Sequence, residues 1–223
     1  MPSVRLKTDV GYCDSGGKMI FLDALHDRYF SVTPAIATLV RSVSSGDVLN
    51  VAQQNLLLRT GLFEIGETAQ ASNCAPCNVG VVSVMSAAQH VAKPRLRNGV
   101  NWTLATLSLA LFHNVARRLP LRRSLALAKA LSRSSLARLL LKDPNSILVA
   151  FDRALLLFPR KDRCLPDALA LYPLLKCQNP ATRIVFGVRT DPFQAHCWVQ
   201  IGAIAIQQDI EVVRSFQPIL AIA

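Results

Sequence analysis

Two residues in the last third of the chain have types and spacing that could do covalent chemistry. Cys164 stands at the start of a run that reads as a helix, and His196 lies 32 residues later in a run that reads as a strand. A free thiol is mostly protonated at neutral pH, its reference pKa being about 8.5. A helix N-terminus favours the thiolate through its partial positive charge, and its unpaired N–H groups can hold a developing oxyanion. An imidazole in an adjacent strand could take the thiol proton and return one to a leaving amine. A third group should orient that imidazole, and the stretch after the next strand offers Gln208 and Asp209. Spacing alone does not single these residues out. Cysteines in apolar surroundings, Cys177 and Cys197 among them, are expected to be small core residues, and a histidine beside Trp198 often serves packing.

The elements that would position the pair follow from periodicity. Asp162 to Lys176 reads as a helix with Leu165, Ala168, Leu169, Tyr172 and Leu175 on one side. Residues 183–190, 195–201 and 203–207 read as strands. Upstream, residues 102–157 are mostly helical. Residues 66–98 lack steady periodicity and read as a linker, with a short strand available at Val79–Val84. At the N-terminus, Asp14-Ser15-Gly16-Gly17 is a turn between the strands at Val10–Tyr12 and Met19–Leu22, and a third strand runs over Arg28–Val32. Thr33-Pro34 opens one helix and Val48–Leu58 forms another, which makes a small α+β unit.

Composition bounds the rest. The chain has 223 residues, 51% of them apolar and only 17% charged, so it folds and has room for one large or two small cores. No apolar signal segment follows Met1, and reduced cysteines in the cytoplasm are the expected state. The net charge of +11 is localised: residues 91–142 carry 11 basic side chains and no acidic one. Residues 117–142 interleave arginine and lysine with leucine, which predicts an amphipathic basic helix. A solvated basic face over a packed leucine stripe is the plainest account. Peripheral contact with the inner face of the membrane or with an acidic protein surface is the functional one, and nucleic acid is not an expected partner. Cys74-Ala75-Pro76-Cys77 has the spacing of half a zinc site, but no second pair lies nearby, so no metal site is expected. No glycine-rich phosphate loop occurs, so no cofactor is identified, and an ATP dependence is left open without residues to carry it.

Cys164-Leu165, Gly187-Val188-Arg189, Pro192-Phe193 and Ala195-His196-x-Trp198-Val199, in this order and spacing, resemble the B proteins of lasso-peptide biosynthesis over roughly residues 145–210. The N-terminal strands ending in Phe21-Leu22-Asp23, then Asp27-Arg28-Tyr29-Phe30 and the Pro34 helix, resemble the precursor-recognition element fused to some of these proteins. The resemblance implies an α+β chain. It would comprise a winged-helix-like leader-recognition module (1–65), a linker (66–98), and a papain/transglutaminase-like cysteine peptidase domain of helices and antiparallel sheet (99–223). It implies a peptidase that removes the leader from a ribosomally made precursor and so frees an amine for a partner asparagine-synthetase-like cyclase. Cys164, His196 and Asp209 would be the catalytic set. The family aspartate aligns with Gln208, so Asp209 requires a one-residue bulge, while Gln208 would serve as a neutral amide. Asp27, Arg28, Tyr29, Phe30 and Ser31 would form the edge strand that a leader peptide pairs with. The competing classes are a non-catalytic basic adaptor, which gives no reason for Cys164 and His196 to fall at family positions, and an acyltransferase using the same dyad.

Overall fold

The structure, a computed structural model, describes residues 3–66, 77, 79–85, 97–141, 143–158 and 163–223. The chain divides into two compact units. The first comprises Met1–Asn78 with Val188–Gln194 and Gln217–Leu220; the second comprises Val79–Gly187, Ala195–Phe216 and Ala221–Ala223. Most of the expected linker lies outside the described residues, as does Cys74 of the Cys-x-x-Cys pair.

In the first unit, β1 (Ser3–Leu6) pairs antiparallel with β5 (Phe63–Gly66). The three strands β2 (Val10–Ser15), β3 (Lys18–Asp23) and β4 (Arg28–Ser31) follow in spatial order as an antiparallel meander. Gly16 and Gly17, at φ 58° and 74°, make the two-residue turn that joins β2 to β3. Both central residues need positive φ there, and that turn matches the right-handed twist of a hairpin. Helix α1 (Pro34–Ser45) starts with proline in its first turn and is followed by Gly46 at φ 87°. Helix α2 (Val51–Arg59) is held at its start by a capping box between Asn50 and Gln53. The core gathers Phe21, Val40 and Leu57, all fully buried, with the rings of Tyr12 and Phe30 stacked on either side of Phe21 at centroid distances of 5.4 and 5.9 Å.

The second unit holds helices α3 (Arg97–Arg118), α4 (Leu121–Ser132), α5 (Ser135–Leu140), α6 (Pro144–Leu155) and α7 (Cys164–Lys176). Helix α3 packs on α6 and α7 through Ala105, Leu109 and Phe112, all fully buried and spaced by one helical turn. Asn101 donates across to Ser146 Oγ at 2.8 Å, and Ser108 to the Ala170 carbonyl at 2.8 Å, so the polar groups within this contact are satisfied. The expected basic helix over 117–142 is divided among α3, α4 and α5. Within it, α4 buries Leu121, Leu125 and Ala128 and exposes Arg122 and Arg123, the solvated basic face over an apolar stripe.

A five-stranded sheet completes the fold. It comprises β6 (Ser83–Met85), β7 (Thr182–Thr190), β8 (Phe193–Ile201), β9 (Ile204–Ile206) and β10 (Gln217–Ile222), in the order β10-β7-β8-β9-β6. β8 and β9 form an antiparallel hairpin with Gly202 at φ 59°, and β6 runs parallel to β9. Helix α8 (Ile210–Arg214) and β10 were not expected from periodicity. One is a helix of 5 residues, and the other carries a proline near its start. In the sheet's buried cluster, Trp198 lies among Val185, Ala205, Val213 and Phe216. A Cβ on Gly187 would come within 2.9 Å of the Trp198 ring and 3.0 Å of Phe216, so this strand position has space only for hydrogen.

Candidate active site

Cys164 is the first residue of α7. The residue before it, Arg163, makes no side-chain cap, and the third helical residue is Pro166, which has no N–H. As the first two helical residues, Cys164 and Leu165 carry backbone N–H groups with no partner inside α7 itself, at the helix start beside the sulfur. Arg163 is tied down in another way. Its Nε lies 3.2 Å from Asp167 Oδ2, one turn into α7, and its guanidinium donates to the Phe158 carbonyl at 3.2 Å. Asp167 also meets His113 Nε2 of α3 at 3.3 Å. Burial raises the Asp167 carboxyl's pKa, against the opposing pull of Arg163 and His113.

His196, in the middle of β8, reaches the same place from the sheet. Its ring lies between those of Trp198 (6.0 Å between centroids) and Phe216 (5.2 Å). Its Nε2 is 2.9 Å from Gln208 Oε1, so the N–H there donates to the amide oxygen. This leaves the other ring nitrogen for the interaction with Cys164 that raises the imidazole's pKa. A cleft of about 340 Å³ is lined by Cys164, His196, Trp198 and Gln208 together with Asp152 of α6 and Gln207.

The electrostatics of the cleft oppose what burial would do. Cys164 is pulled down to about 4, chiefly by a hydrogen bond from the Cys197 thiol, which together with His196 and the Cys197 backbone N–H outweighs desolvation. The Cys197 thiol is raised correspondingly: it donates its proton toward the Cys164 sulfur and is itself buried. Burial lowers the pKa of His196, but the hydrogen bonds to Cys164 and Gln208 more than offset it and leave the group above its ordinary value. The two shifts agree in direction. Both shifts favour a thiolate beside an imidazolium over the neutral pair, the arrangement that suits a thiol nucleophile and its proton donor.

The expected residues fall as follows. Cys164 and His196 are brought together. Asp209 is not: its carboxylate accepts from the Glu211 N–H at 2.9 Å and caps α8, so the group orienting His196 in this geometry is Gln208. The chain turns at Gln207, at φ 53° just after β9, and the residue that follows it to the ring is Gln208. Cys197 is buried as expected of a core residue, yet its sulfur serves Cys164. Strand alternation gives no hint of this, because adjacent residues are expected on opposite faces. Asp27, Arg28, Tyr29, Phe30 and Ser31 lie just before and within β4, at the end of the three-stranded meander. Among the described residues there is no cluster of three or more His, Cys, Asp or Glu side chains that could hold a metal ion, and no helix is long and apolar enough to cross a membrane.

The family model for the transglutaminase-like superfamily matches residues 103–221, just over half of the chain, and includes α7, β7, β8, β9 and every residue of the cleft. A stretch of 42 residues is 43% identical to the microcin J25-processing protein McjB of Escherichia coli. That stretch covers 19% of this chain and 20% of McjB, so the likeness extends over about a fifth of that relative's length. No solved structure matches the chain. With the family model covering more than half of it, and Cys164 and His196 side by side within the matched region, the chain belongs to the transglutaminase-like superfamily.

Proposed function

We propose that this protein is a cysteine peptidase that removes the leader from a ribosomally made lasso-peptide precursor. The observation that carries the reading is the cleft that brings the Cys164 thiol, at the start of α7, to His196, whose Nε2 is fixed by Gln208. The superfamily match and the partial likeness to a protein named for processing microcin J25 support it.

In this mechanism the Cys164 sulfur attacks the carbonyl carbon of the last leader residue. The oxyanion is held by the N–H groups at the start of α7, and His196 gives its proton to the departing core amine. The leader is then a thioester on Cys164. Neutral His196 takes a proton from water, whose oxygen attacks the thioester carbonyl. The leader departs as a carboxylate, and thiolate and imidazolium are restored together. The freed core amine is the group that a partner cyclase of the asparagine-synthetase-like type would join to a side-chain carboxyl.

Leader recognition is assigned to β4. The strand pairs with β3 within the meander, and in this reading an extended leader adds to it as a further strand. Phe30 packs into the core, while Tyr29 meets Phe193 edge-on at 5.9 Å on the opposite side. Of the two, Tyr29 is therefore the one placed to line a side-chain pocket.

Mass spectrometry of a candidate precursor incubated with the protein, with and without the cyclase, tests the reading. One cut at the leader–core junction, lost in Cys164→Ala, is expected. Intact precursor under every condition, despite measurable binding, would leave a recognition scaffold. A leader recovered as an amide of an added amine would replace hydrolysis by acyl transfer through the same dyad.

A further inference from the structure

Gln207 is among the few non-glycine residues with positive φ (53°), and it directly precedes the residue that orients His196. Such a backbone costs free energy and persists where surrounding contacts over-determine it, often beside functional groups. Here the contacts are on the page. The Gln207 N–H donates to the Met85 carbonyl at 2.7 Å, which extends the β6–β9 pairing by one residue. Both protons of its side-chain amide go to α6: Nε2 lies 3.1 Å from the Leu148 carbonyl and 2.6 Å from Asp152 Oδ1. With the backbone turned and anchored in this way, the next side chain, Gln208, is delivered to His196 Nε2.

We infer that Asp152 and Gln207 are positioning residues for the active site: Asp152 holds Gln207 in its turned conformation, and the turn aims Gln208 at His196. The inference rests on the reading of Cys164 and His196 as the working pair, and it adds α6 to the elements on which catalysis depends. Asp152 acts through its acceptor oxygen rather than its charge, since its partner is a neutral amide. Burial pushes the carboxyl's pKa up, which agrees with a group whose charge is not the point. Among the described residues, the other titratable or charged groups lining the cleft beside Cys164 and His196 are Arg163 and Asp167 at the start of α7 and Cys197 of β8, and Arg153 lines the space next to Asp152 on α6.

The test reads the ion pair without any substrate, so it stands whether or not the protein proves to be a peptidase. The full-length protein is alkylated with iodoacetamide across a pH series, and modification of the Cys164-bearing peptide is followed by mass spectrometry. In Asp152→Ala the alkylation midpoint is expected to rise by about one pH unit, as His196 loses an ordered acceptor and supports the thiolate less. Asp152→Asn, whose carbonyl accepts the same proton, is expected to recover most of that shift. Gln207→Met keeps the side-chain volume and removes both donors. It carries the same expectation as Asp152→Ala and stands in for it should the alanine variant fail to fold by circular dichroism. An unshifted midpoint in folded Asp152→Ala or Gln207→Met overturns the inference. So does an Asp152→Asn variant as impaired as Asp152→Ala, because the charge and not the acceptor would then be at work.

Discussion

Two thiols, the buried Cys13 of the first unit and the half-buried Cys164 of the second, have been pushed in opposite directions. Cys13 lies in β2 among apolar neighbours, and burial, with Asp14 and Cys77 nearby, raises it to about 12. Cys164 is also largely shielded, yet it is pulled down to about 4. Desolvation acts on both in the same sense, so burial does not distinguish a structural cysteine from a nucleophile. The difference is in what faces the sulfur. Cys164 has the start of a 13-residue helix, a donating thiol, a backbone N–H and an imidazolium, whereas Cys13 has a carboxylate and another thiol.

The contrast can be broken one partner at a time. His196→Ala should have the largest effect. Without the imidazolium the Cys164 midpoint should climb toward the ordinary thiol range, and alkylation at pH 6 should fall about 100-fold. A fall of less than ten-fold would show that the helix start and Cys197 suffice. Removing the nearest donor, in Cys197→Ala, should raise the midpoint by about one to two pH units, with the fold retained. A titration indistinguishable from the parent protein would return Cys197 to a packing role. Cys13→Ala is the control with the smallest effect. It should cost about 1 kcal/mol in a denaturant melt, through lost apolar contact, and leave the Cys164 midpoint where it was.

The pH profile of wild-type alkylation should sharpen the same contrast. A depressed thiol pKa means that the reactive form is present above about pH 4 and is lost as pH falls through that value. Cys13, held as the protonated thiol, should stay unmodified across the neutral range until the protein unfolds.

Much of this was legible in the sequence because it is local. The turn at Gly16-Gly17, the Pro34 helix start, the placing of Cys164 at a helix N-terminus and the strand around His196 all follow from residues within a few positions of one another. The missed parts are non-local or lie at element ends. Strands β1 and β5 pair Ser3 with Gly66, and neither is long enough to announce itself. Cys197 gained its role only when α7 was set beside β8. The choice between Gln208 and Asp209 turned on the positive φ of Gln207, which the side-chain pattern of a strand does not encode, and on Asp209 serving instead as the cap of a helix too short to read from periodicity.

An amide in the place of a carboxylate also changes the charge of the site. An aspartate in contact with the imidazolium would be held below its reference pKa of about 3.9 and would carry a negative charge wherever the thiolate persists. Gln208 has no proton to gain, so its grip on Nε2 is the same at every pH the folded protein survives. The dyad then adds no net charge to the cleft, and the ring stays aligned for as long as the sulfur is ionised. The working range of this site ends with its nucleophile and not with its scaffold.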